Sequence, residues 1–599
     1  IEHAIFVVMN KTPADRPQSA EQFAQLLGIQ GSNTASMRVF TNTMQRRIPS
    51  GAQAILDRSR PWWRRTPAIA AAAIILFAVG AVALQTAFGR PKAAVAGPEA
   101  RRLAVLYFTD MSRDSSLRPL ADGVTESLTR SLSTASSYSV VSTTGAARFR
   151  GSALAPDSIA RALRVGYLVR GEVEPEGNSV RIAVRLDEAS GVNLQRVSLV
   201  IPAGSVLQAR DTITTVVADL VRRQLGQQFQ VQQQRASTSN ADAWLLLQRG
   251  EAARSAMDVV AAQGDTIGRE RWYHAADSLY AQAWALDPRW AEPQARRAQI
   301  AYRQSRLTRD PTAMRRWVAI GLAHTDSALA IDAANPDALE LRGTLKYWSF
   351  LQNFEEDATR KAALIDEAKA NLEKATEVNV RQAGAYSTLS HLYNNHPSTS
   401  STDVLIAAQR AYEADEFLSD AELVLARIFL AAYDLGQFDK ADQWCGVARM
   451  RFPASWRSFR CQLFLLTMRN KNPDIATAWR LADTVTALAP NARYYRLNSD
   501  MLVGAVIARA SRSNPALADS ARRVIRRSEG DAGLDPVRDL ALYGAIGYVA
   551  LGDYADAVRL LKIHLAVNPQ KTASFRDDPG WQYRELAPYP PFRQLVGVR

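Results

Sequence analysis

Few side chains in this sequence have the residue types and the spacing that catalysis requires. Asp122 and Glu126 lie one turn apart on a predicted helix, so their carboxyl groups share a face. Catalytic carboxyl pairs also need a pocket that separates their pKa values, and nothing in the sequence indicates one. The favoured interpretation is a solvated helix face, with Asp122 near the start of the helix.

The histidines and cysteines offer little metal or nucleophile chemistry. His391 and His396 are five residues apart beside an Asn, Pro and Ser loop, which favours a surface loop over a metal pair. Cys445 and Cys461 flank a predicted helix–helix junction, where two buried thiols are favoured over a disulfide. The sequence has no H-E-x-x-H, G-x-S-x-G or P-loop motif. We predict no catalytic, metal-binding or cofactor-binding residues in this chain.

The composition is that of a globular protein with several domains. The chain has 599 residues, of which 47% are hydrophobic and 22% are charged. These values exclude wholesale disorder, a collagen and a polytopic membrane protein, and two cysteines exclude a disulfide scaffold. The net charge of +14 is spread along the chain and forms no basic stripe, so a nucleic-acid partner is not expected.

The longest apolar run divides the chain. Residues 68–84 carry no polar side chain, and Trp62, Trp63, Arg64 and Arg65 precede them. A stretch of about 20 apolar residues matches the thickness of a bilayer, and aromatic and basic residues favour its edges. The sequence therefore predicts a transmembrane helix over residues 67–88, between a juxtamembrane linker at 29–66 and a second linker at 89–100. A buried, alanine-rich core helix is the alternative.

Residues 1–28 contain a Lys-x-Pro-x-x-Arg-Pro turn followed by a predicted helix, with Lys11, Pro13, Arg16, Pro17, Ser19, Ala20 and Phe23. This segment resembles the end of the C-lobe of bacterial serine/threonine protein kinases, where such a turn precedes a helix. The resemblance implies that Arg16 has a structural role in the lobe, and a short amphipathic helix pair is the alternative. The chain has no Gly-rich loop, strand lysine, H-R-D or D-F-G, so it should not phosphorylate anything by itself. ATP and Mg²⁺ are expected only for a kinase domain beyond this sequence.

Residues 101–227 are predicted to form a small mixed α/β domain in the order β-α-β-α-β-β-β. Residues 103–108 read as a buried strand, and residues 180–186 alternate strictly between apolar and polar side chains. The domain resembles the TolB amino-terminal-like (FlgO-like) domain. The segments that carry the match are residues 103–108, 121–126, 148–151, 159–163, 167–172 and 180–187. This resemblance implies a sensing or interaction role and no catalytic activity.

Residues 240–599 are predicted to be helical repeats. Helix ends recur at spacings of 33 to 48 residues, of which the shorter approach the 34 of a tetratricopeptide repeat and the longer leave room for extended helices or loops. Small residues recur on the second helix of several units, as at Ala441 and Ala557. The pattern resembles tetratricopeptide repeats, whose helix pairs stack into a superhelix with a concave binding surface. Tyr302, Trp348, Tyr386 and Tyr393 are candidates for that surface, although a place in the core is favoured.

These observations predict a multidomain chain, mostly α, with a tetratricopeptide-repeat superhelix, a small mixed α/β domain and one transmembrane helix. The expected function is the non-catalytic sensor and protein-interaction region of a membrane-anchored bacterial serine/threonine kinase, which binds protein or peptide partners and forms a homodimer. Its N-terminal side would be cytoplasmic, and its C-terminal domains would lie outside the cytoplasm across the inner membrane. The alternative is a single-pass tetratricopeptide scaffold with no kinase, and a hydrolase is disfavoured because no nucleophile and base appear together.

Overall fold

The structure is a computed structural model, and it describes residues 99–133, 139–202, 205–225, 238–530 and 532–598. The predicted kinase-lobe motif with Pro13, Arg16 and Pro17, and the predicted membrane helix at 67–88, lie outside the described residues. A compact unit that begins at Ala93 contains all of the described residues.

The first part of this unit is a six-stranded mixed sheet. Its strands are β1 (Glu99–Val105), β2 (Thr109–Asp110), β3 (Ser139–Val140), β4 (Val165–Glu176), β5 (Ser179–Glu188) and β6 (Asn193–Pro202). The strand order is β3-β1-β4-β5-β6, with β2 on β4. β1 is parallel to β3 and β4, whereas β4, β5 and β6 are antiparallel, with Val173 opposite Ile182.

Helices cover both faces of the sheet. They are α1 (Arg118–Ser133), α2 (Thr143–Ala147), α3 (Pro156–Leu163) and α4 (Val206–Leu225). Leu103 packs with α1 and α4 on one face, while Ala104 packs with α2 and α3 on the other, because successive strand residues point to opposite faces. The small mixed α/β domain is as predicted, but helix α4, whose Val217 and Val221 are fully buried, was not expected from the sequence.

The second part consists of antiparallel helix pairs, as the repeat pattern predicted. The first four pairs are α5 (Ala241–Ala262) with α6 (Thr266–Leu286), α7 (Glu292–Leu307) with α8 (Pro311–Ile331), α9 (Pro336–Leu351) with α10 (Ala358–Val378), and α11 (Ala383–Asn395) with α12 (Ser401–Ala414). The next four are α13 (Ala421–Asp434) with α14 (Phe438–Arg451), α15 (Trp456–Leu465) with α16 (Ile475–Leu488), α17 (Ala492–Ala510) with α18 (Ala518–Arg527), and α19 (Asp539–Leu551) with α20 (Tyr554–Val567).

Small residues on the second helix of each pair let the two helices of that pair approach closely. Ala276, Ala368, Ala441 and Ala557 are fully buried where their helices cross. Polar caps start many of these helices, and the Asn240 side chain, for example, accepts from the Ala243 backbone N–H. Sequence periodicity and capping together therefore account for this half of the fold.

The C-terminal segment folds back across the later pairs. It contains α21 (Thr572–Asp577), α22 (Gly580–Tyr583) and α23 (Pro590–Leu595). The Trp581 indole packs edge-on against Tyr433 and donates to the Tyr433 carbonyl, and Arg469 donates to the Trp581 carbonyl at 3.0 Å. The segment therefore ties α19 and α20 to α13, which lies three pairs earlier in the chain.

The predicted fold class is wrong in its membrane component. The described part of the chain is mostly helical with a small mixed sheet, and none of its helices is both long and apolar enough to cross a membrane. The apolar run and its aromatic and basic flanks had suggested the span, because a stretch of that length matches the thickness of a bilayer and such residues favour its edges.

A disulfide joins two successive repeats. Cys445 on α14 and Cys461 on α15 are bonded, with their Cα atoms 5.8 Å apart and both side chains buried. The expectation of two free core thiols is therefore wrong. Residue burial suits a small hydrophobic thiol and a disulfide equally, so the sequence alone favoured the commoner state.

Reduction of this bond should destabilise the repeats. The cysteines are 16 residues apart, and a loop of that size corresponds to about 3 kcal/mol of unfolding free energy. We expect thermal unfolding, followed by circular dichroism, to shift to lower temperature on addition of a reductant. A variant with both cysteines replaced by alanine should show no such shift. Two titratable thiols in the denatured, unreduced chain would contradict the prediction.

Candidate functional site on the inner surface of the repeats

The first helices of successive pairs form one continuous surface. Each first helix from α7 to α19 contacts the next first helix along the stack, so these helices form one side of the stack. We call this side the inner surface. Candidate binding residues are those that project from α5, α7, α9, α11, α13, α15, α17 and α19.

The α/β domain docks on the beginning of the inner surface through α1. A Cβ atom added at Gly123 would lie 2.3 Å from the Trp244 ring, so only glycine permits this contact of α1 with α5. Leu120, Val124 and Trp244 belong to one buried cluster that runs from the sheet into the first two helix pairs. The domain and the repeats therefore share a hydrophobic core.

A charged network lies beside this contact. The Arg254 Nε donates to the Glu251 carboxylate at 2.8 Å, the Tyr280 hydroxyl donates to the same carboxylate at 2.8 Å, and Arg296 lies 3.5 Å from it. Burial opposes the charge of Glu251, but Arg254 and Arg296 outweigh it and lower the pKa of Glu251 to about 2. Glu251 is thus a charged anchor between two arginines.

Glu126 of α1 faces this network. Burial, with a smaller contribution from the charge of Glu251, raises the pKa of Glu126 to about 7. Its neighbour Asp122 is only 8% exposed, and both of its oxygens pair with Arg150, at 3.0 and 3.1 Å. The helix face with Asp122 and Glu126 is therefore not solvated as expected from the sequence, because it is covered by Arg150 and the repeats. Asp122 is paired with Arg150, so Asp122 and Glu126 do not form a catalytic pair.

A second anchor comes from the turn between α12 and α13. Phe417 is 7% exposed and lies in the core on the far face of the sheet, with Leu106, Ile159 and Leu163. A Cβ atom at Gly145 would lie 2.6 Å from its ring. This turn inserts an aromatic side chain from the repeats into the α/β domain.

Polar contacts surround the Phe417 side chain. Glu416 accepts from Arg102 of β1 through one oxygen and from Arg451 of α14, at 2.8 Å, through the other. All three side chains are between 11 and 13% exposed, so both charged pairs are well shielded from water. Ser142 donates to Asp415 at 2.8 Å. The α/β domain is thus held at two separate places, on α5 and on the turn that contains Phe417.

The four aromatic residues predicted for the groove divide between two environments. Tyr302 on α7 and Trp348 on α9 are partly exposed, and the Arg306 guanidinium lies 4.1 Å from the centre of the Trp348 ring. The Trp348 indole N–H is buried and has no hydrogen-bond partner among the described residues. Tyr386 and Tyr393 on α11 pack against the core of the stack, and the Tyr393 hydroxyl donates to Glu373 on α10 at 2.8 Å.

Arginines continue along the inner surface on other first helices. Arg427 on α13 reaches oxygens of Ser387 and Ser390 on α11 at 3.3 Å. Burial, together with the charges of Arg427 and Arg306, lowers the pKa of His391 to about 4, so that this histidine is neutral. The middle of the inner surface therefore combines arginine and aromatic side chains with the carboxyl groups of Glu340 and Asp420. The sequence pattern did not indicate this feature, because these arginines are far apart in the chain.

Metal chemistry has no support in the described residues. His391 accepts or donates at Nδ1 to the Tyr347 hydroxyl at 3.0 Å, whereas His396 pairs with Asp366 at 2.8 Å. The two histidines thus have separate partners. Within the described ranges, no three His, Cys, Asp or Glu side chains are grouped as a metal site requires.

Comparisons with known proteins give only a distant likeness. No family model matches the chain, and no curated protein matches it. One similar solved structure is the crystal structure of a thermophilic TPR protein of Thermus thermophilus. It is 15% identical, with a TM-score of 0.26, over 39% of this chain and 98% of that one. At this TM-score the likeness supports no inference, and the assignment of repeats depends on the helix pairs described above.

Removal of the Phe417 ring should loosen the α/β domain. Phe417→Ala leaves a cavity in the second face of the sheet, at a cost of about 3 to 5 kcal/mol. We expect faster amide hydrogen exchange in α2 and α3, measured by mass spectrometry. Phe452→Ala, at the end of α14, is the matched control and should leave α2 and α3 protected. Unchanged exchange in α2 and α3 of Phe417→Ala would show that the ring is not an anchor.

The Glu126 contact should weaken as the pH rises. Its pKa is raised on folding, so its contribution is complete below about pH 4.5 and is lost as the pH passes through about 7. Glu126→Gln removes the charge and should raise the unfolding free energy at pH 8 by about 1 to 3 kcal/mol, with little effect at pH 5. Thermal unfolding at both pH values measures the difference, and Glu188→Gln, at an exposed site, is the control. An equal effect at both pH values would contradict this assignment.

Proposed function

We propose that this chain is a protein-interaction region whose helical repeats bind protein or peptide partners along the inner surface. The observation that carries the proposal is the row of first helices from α7 to α13, which presents Arg306, Trp348 and Arg427 on one surface. Aromatic and arginine side chains dominate the energetics of protein interfaces.

In this proposal, the α/β domain determines which part of the inner surface a partner can reach. It covers the surface of α5 and reaches the turn at Phe417, so that it limits a partner to the part of the inner surface that it leaves free. The domain acts as a structural and sensing element rather than as an enzyme. The TolB-like resemblance of its sequence supports the same role.

We further propose that the region regulates signalling by a serine/threonine protein kinase. The support is the kinase-like motif of residues 1–28, in which Pro13, Arg16 and Pro17 match the family. ATP and Mg²⁺ would belong to the kinase domain and not to this chain. An upstream reading frame that encodes a Gly-rich loop, a strand lysine, H-R-D and D-F-G would bear out this part. A start codon directly before Ile1 would leave a repeat scaffold without a kinase.

The disulfide supports a location for the repeats outside the cytoplasm. Structural disulfides persist in oxidising compartments and are rare in the cytosol. Cys445 and Cys461 form such a bond inside the stack. Partners would then be extracytoplasmic proteins or peptides.

Charge reversal on the inner surface tests the interaction function. We expect Arg306→Glu to lose partners that the full chain captures by affinity purification from its own cells, since it removes the cation over Trp348. Arg271→Glu is the matched control, because Arg271 also lies over a tryptophan, Trp272 at 5.5 Å, but on a second helix, α6. Quantitative mass spectrometry compares the two. A partner set that is the same in both variants would contradict the proposed surface.

A further inference from the structure

The sheet of the α/β domain has one long open edge. β6 (Asn193–Pro202) lies at the end of the strand order, and β5 is its only partner among the described strands. It spans ten residues, whereas β3 at the opposite edge spans two. Alternate backbone N–H and C=O groups of an edge strand point away from its neighbour and can pair with a further strand. β6 is therefore a template for one more strand of the sheet.

The sequence of β6 has few of the features that protect an edge strand. Native edges are commonly interrupted by bulges or carry several charged side chains. The pairing of β6 with β5 keeps one register from Gln195 to Pro202, and Arg196 is the only charged residue of the strand. Its proline, Pro202, is the last residue, and Val200 is 57% exposed. The long middle of this edge is therefore open to a partner.

A row of arginines crosses the sheet and ends at this edge. Arg170 of β4 lies opposite Arg185 of β5, and Arg185 lies opposite Arg196 of β6. Side chains in directly opposite positions lie on the same face of a sheet, and like charges in such positions destabilise the pairing. Each arginine of the row therefore needs a carboxylate nearby.

The first two arginines of the row have carboxylate partners on the neighbouring strand. The Arg170 Nε donates to Asp187 of β5 at 2.5 Å, and the Arg185 Nη2 donates to Glu172 of β4 at 2.9 Å. In both pairs the carboxylate is diagonal to its arginine across the two strands, because Asp187 lies opposite Leu168 and Glu172 lies next to the position opposite Arg185 on the same face. Diagonal ion pairs between adjacent strands thus compensate the charge of the row.

Arg196 has no such partner. It is exposed, and no described carboxylate forms an ion pair with it. The diagonal positions beside it on β5 are Ala183, which has no charge, and Asp187, whose two oxygens accept from Arg170 and Asn193. β6 itself has no acidic residue. A carboxylate that completes the row must therefore come from the other side of β6, where the edge is open.

We propose that β6 binds an extended segment of a partner protein as an added strand, with an acidic residue of that segment beside Arg196 and an apolar residue beside Val200. Main-chain hydrogen bonds to an open edge provide affinity, and the alternate side chains provide specificity. A second copy of β6 does not meet the charge requirement, because the strand has no acidic residue. This surface is separate from the inner surface of the repeats, so the inference goes beyond the proposed function and does not rest on it.

Labelled peptides test the edge on the full chain. The probe is fluorescein-Gly-Ser-Val-Val-Thr-Val-Glu-Thr-Val-Ser amide, and the comparison peptide has Lys in place of Glu, with binding followed by fluorescence anisotropy. We expect the glutamate peptide to bind about threefold to tenfold more tightly, since opposite charges on adjacent strands stabilise the pairing and like charges oppose it. Equal binding of the two peptides would overturn the proposal.

Backbone methylation separates strand pairing from the attraction of charges alone. N-methyl groups on every second residue of the glutamate peptide remove the hydrogen-bond donors from one side of the peptide strand. Of the two alternating patterns, we expect one to weaken binding at least about tenfold and the other to leave it nearly unchanged, because a strand added at an edge pairs on one side only. An equal effect of both patterns would show that the peptide is not an added strand.

A charge exchange locates the peptide on β6. Arg196→Glu should reverse the preference and bind the lysine peptide more tightly than the glutamate peptide. Arg113→Glu is the matched control, because it changes the net charge equally at an exposed arginine in the loop after β2, and it should keep the natural preference. If Arg196→Glu also keeps that preference, the peptide lies elsewhere and the proposal is wrong. A dimer of the full chain that Arg196→Glu dissociates, measured by sedimentation, would assign the edge to a second copy instead.

Discussion

The constraint on which this structure depends is that no helix pair buries its apolar sides alone. Each pair presents small residues such as Ala276 and Ala441 inside itself and larger apolar residues to its neighbours, so stability arises only from stacking. The consequence is a continuous surface made of first helices, on which Tyr302 and Trp348 remain partly exposed. The same constraint explains the ends of the stack. The α/β domain covers α5 at one end, and the segment with Trp581 folds back at the other.

The α/β domain belongs to the stack as a fixed part. Phe417 enters the core of the sheet from a turn between repeats, and Glu416 is shared between Arg102 and Arg451. The inserted Phe417 ring contributes most of the free energy of this contact. The shielded ion pairs determine how the two surfaces align, because a shielded charge that loses its partner destabilises the fold. A change at either anchor therefore acts on the first repeats and on the sheet together. The α/β domain and the first repeats are therefore coupled through these two contacts.

Local patterns predicted the parts of this fold that local interactions determine. The strict alternation in the sequence of β5 and the small residues Ala441 and Ala557 indicated their elements directly, because strand and repeat periodicity can be detected from the sequence itself. The approach of Glu126 to the network around Glu251, and the insertion of Phe417 into the core of the sheet, could not be predicted in this way. Each joins residues that are far apart in the chain, and a single phenylalanine in a turn has no periodic signal.

Arginines join the helices of the repeats in two ways. Arg254 and Arg451 have carboxylate partners, which compensate the cost of shielding a cation from water. Arg460 instead donates to the Asn498 amide oxygen and to the Tyr543 hydroxyl, and its guanidinium lies 4.9 Å from the centre of the Phe464 ring. Because these groups belong to α15, α17 and α19, one side chain connects three successive first helices through hydrogen bonds and cation–π contacts. The later repeats are thus joined by polar contacts between helices that are far apart in the chain, as well as by their apolar core.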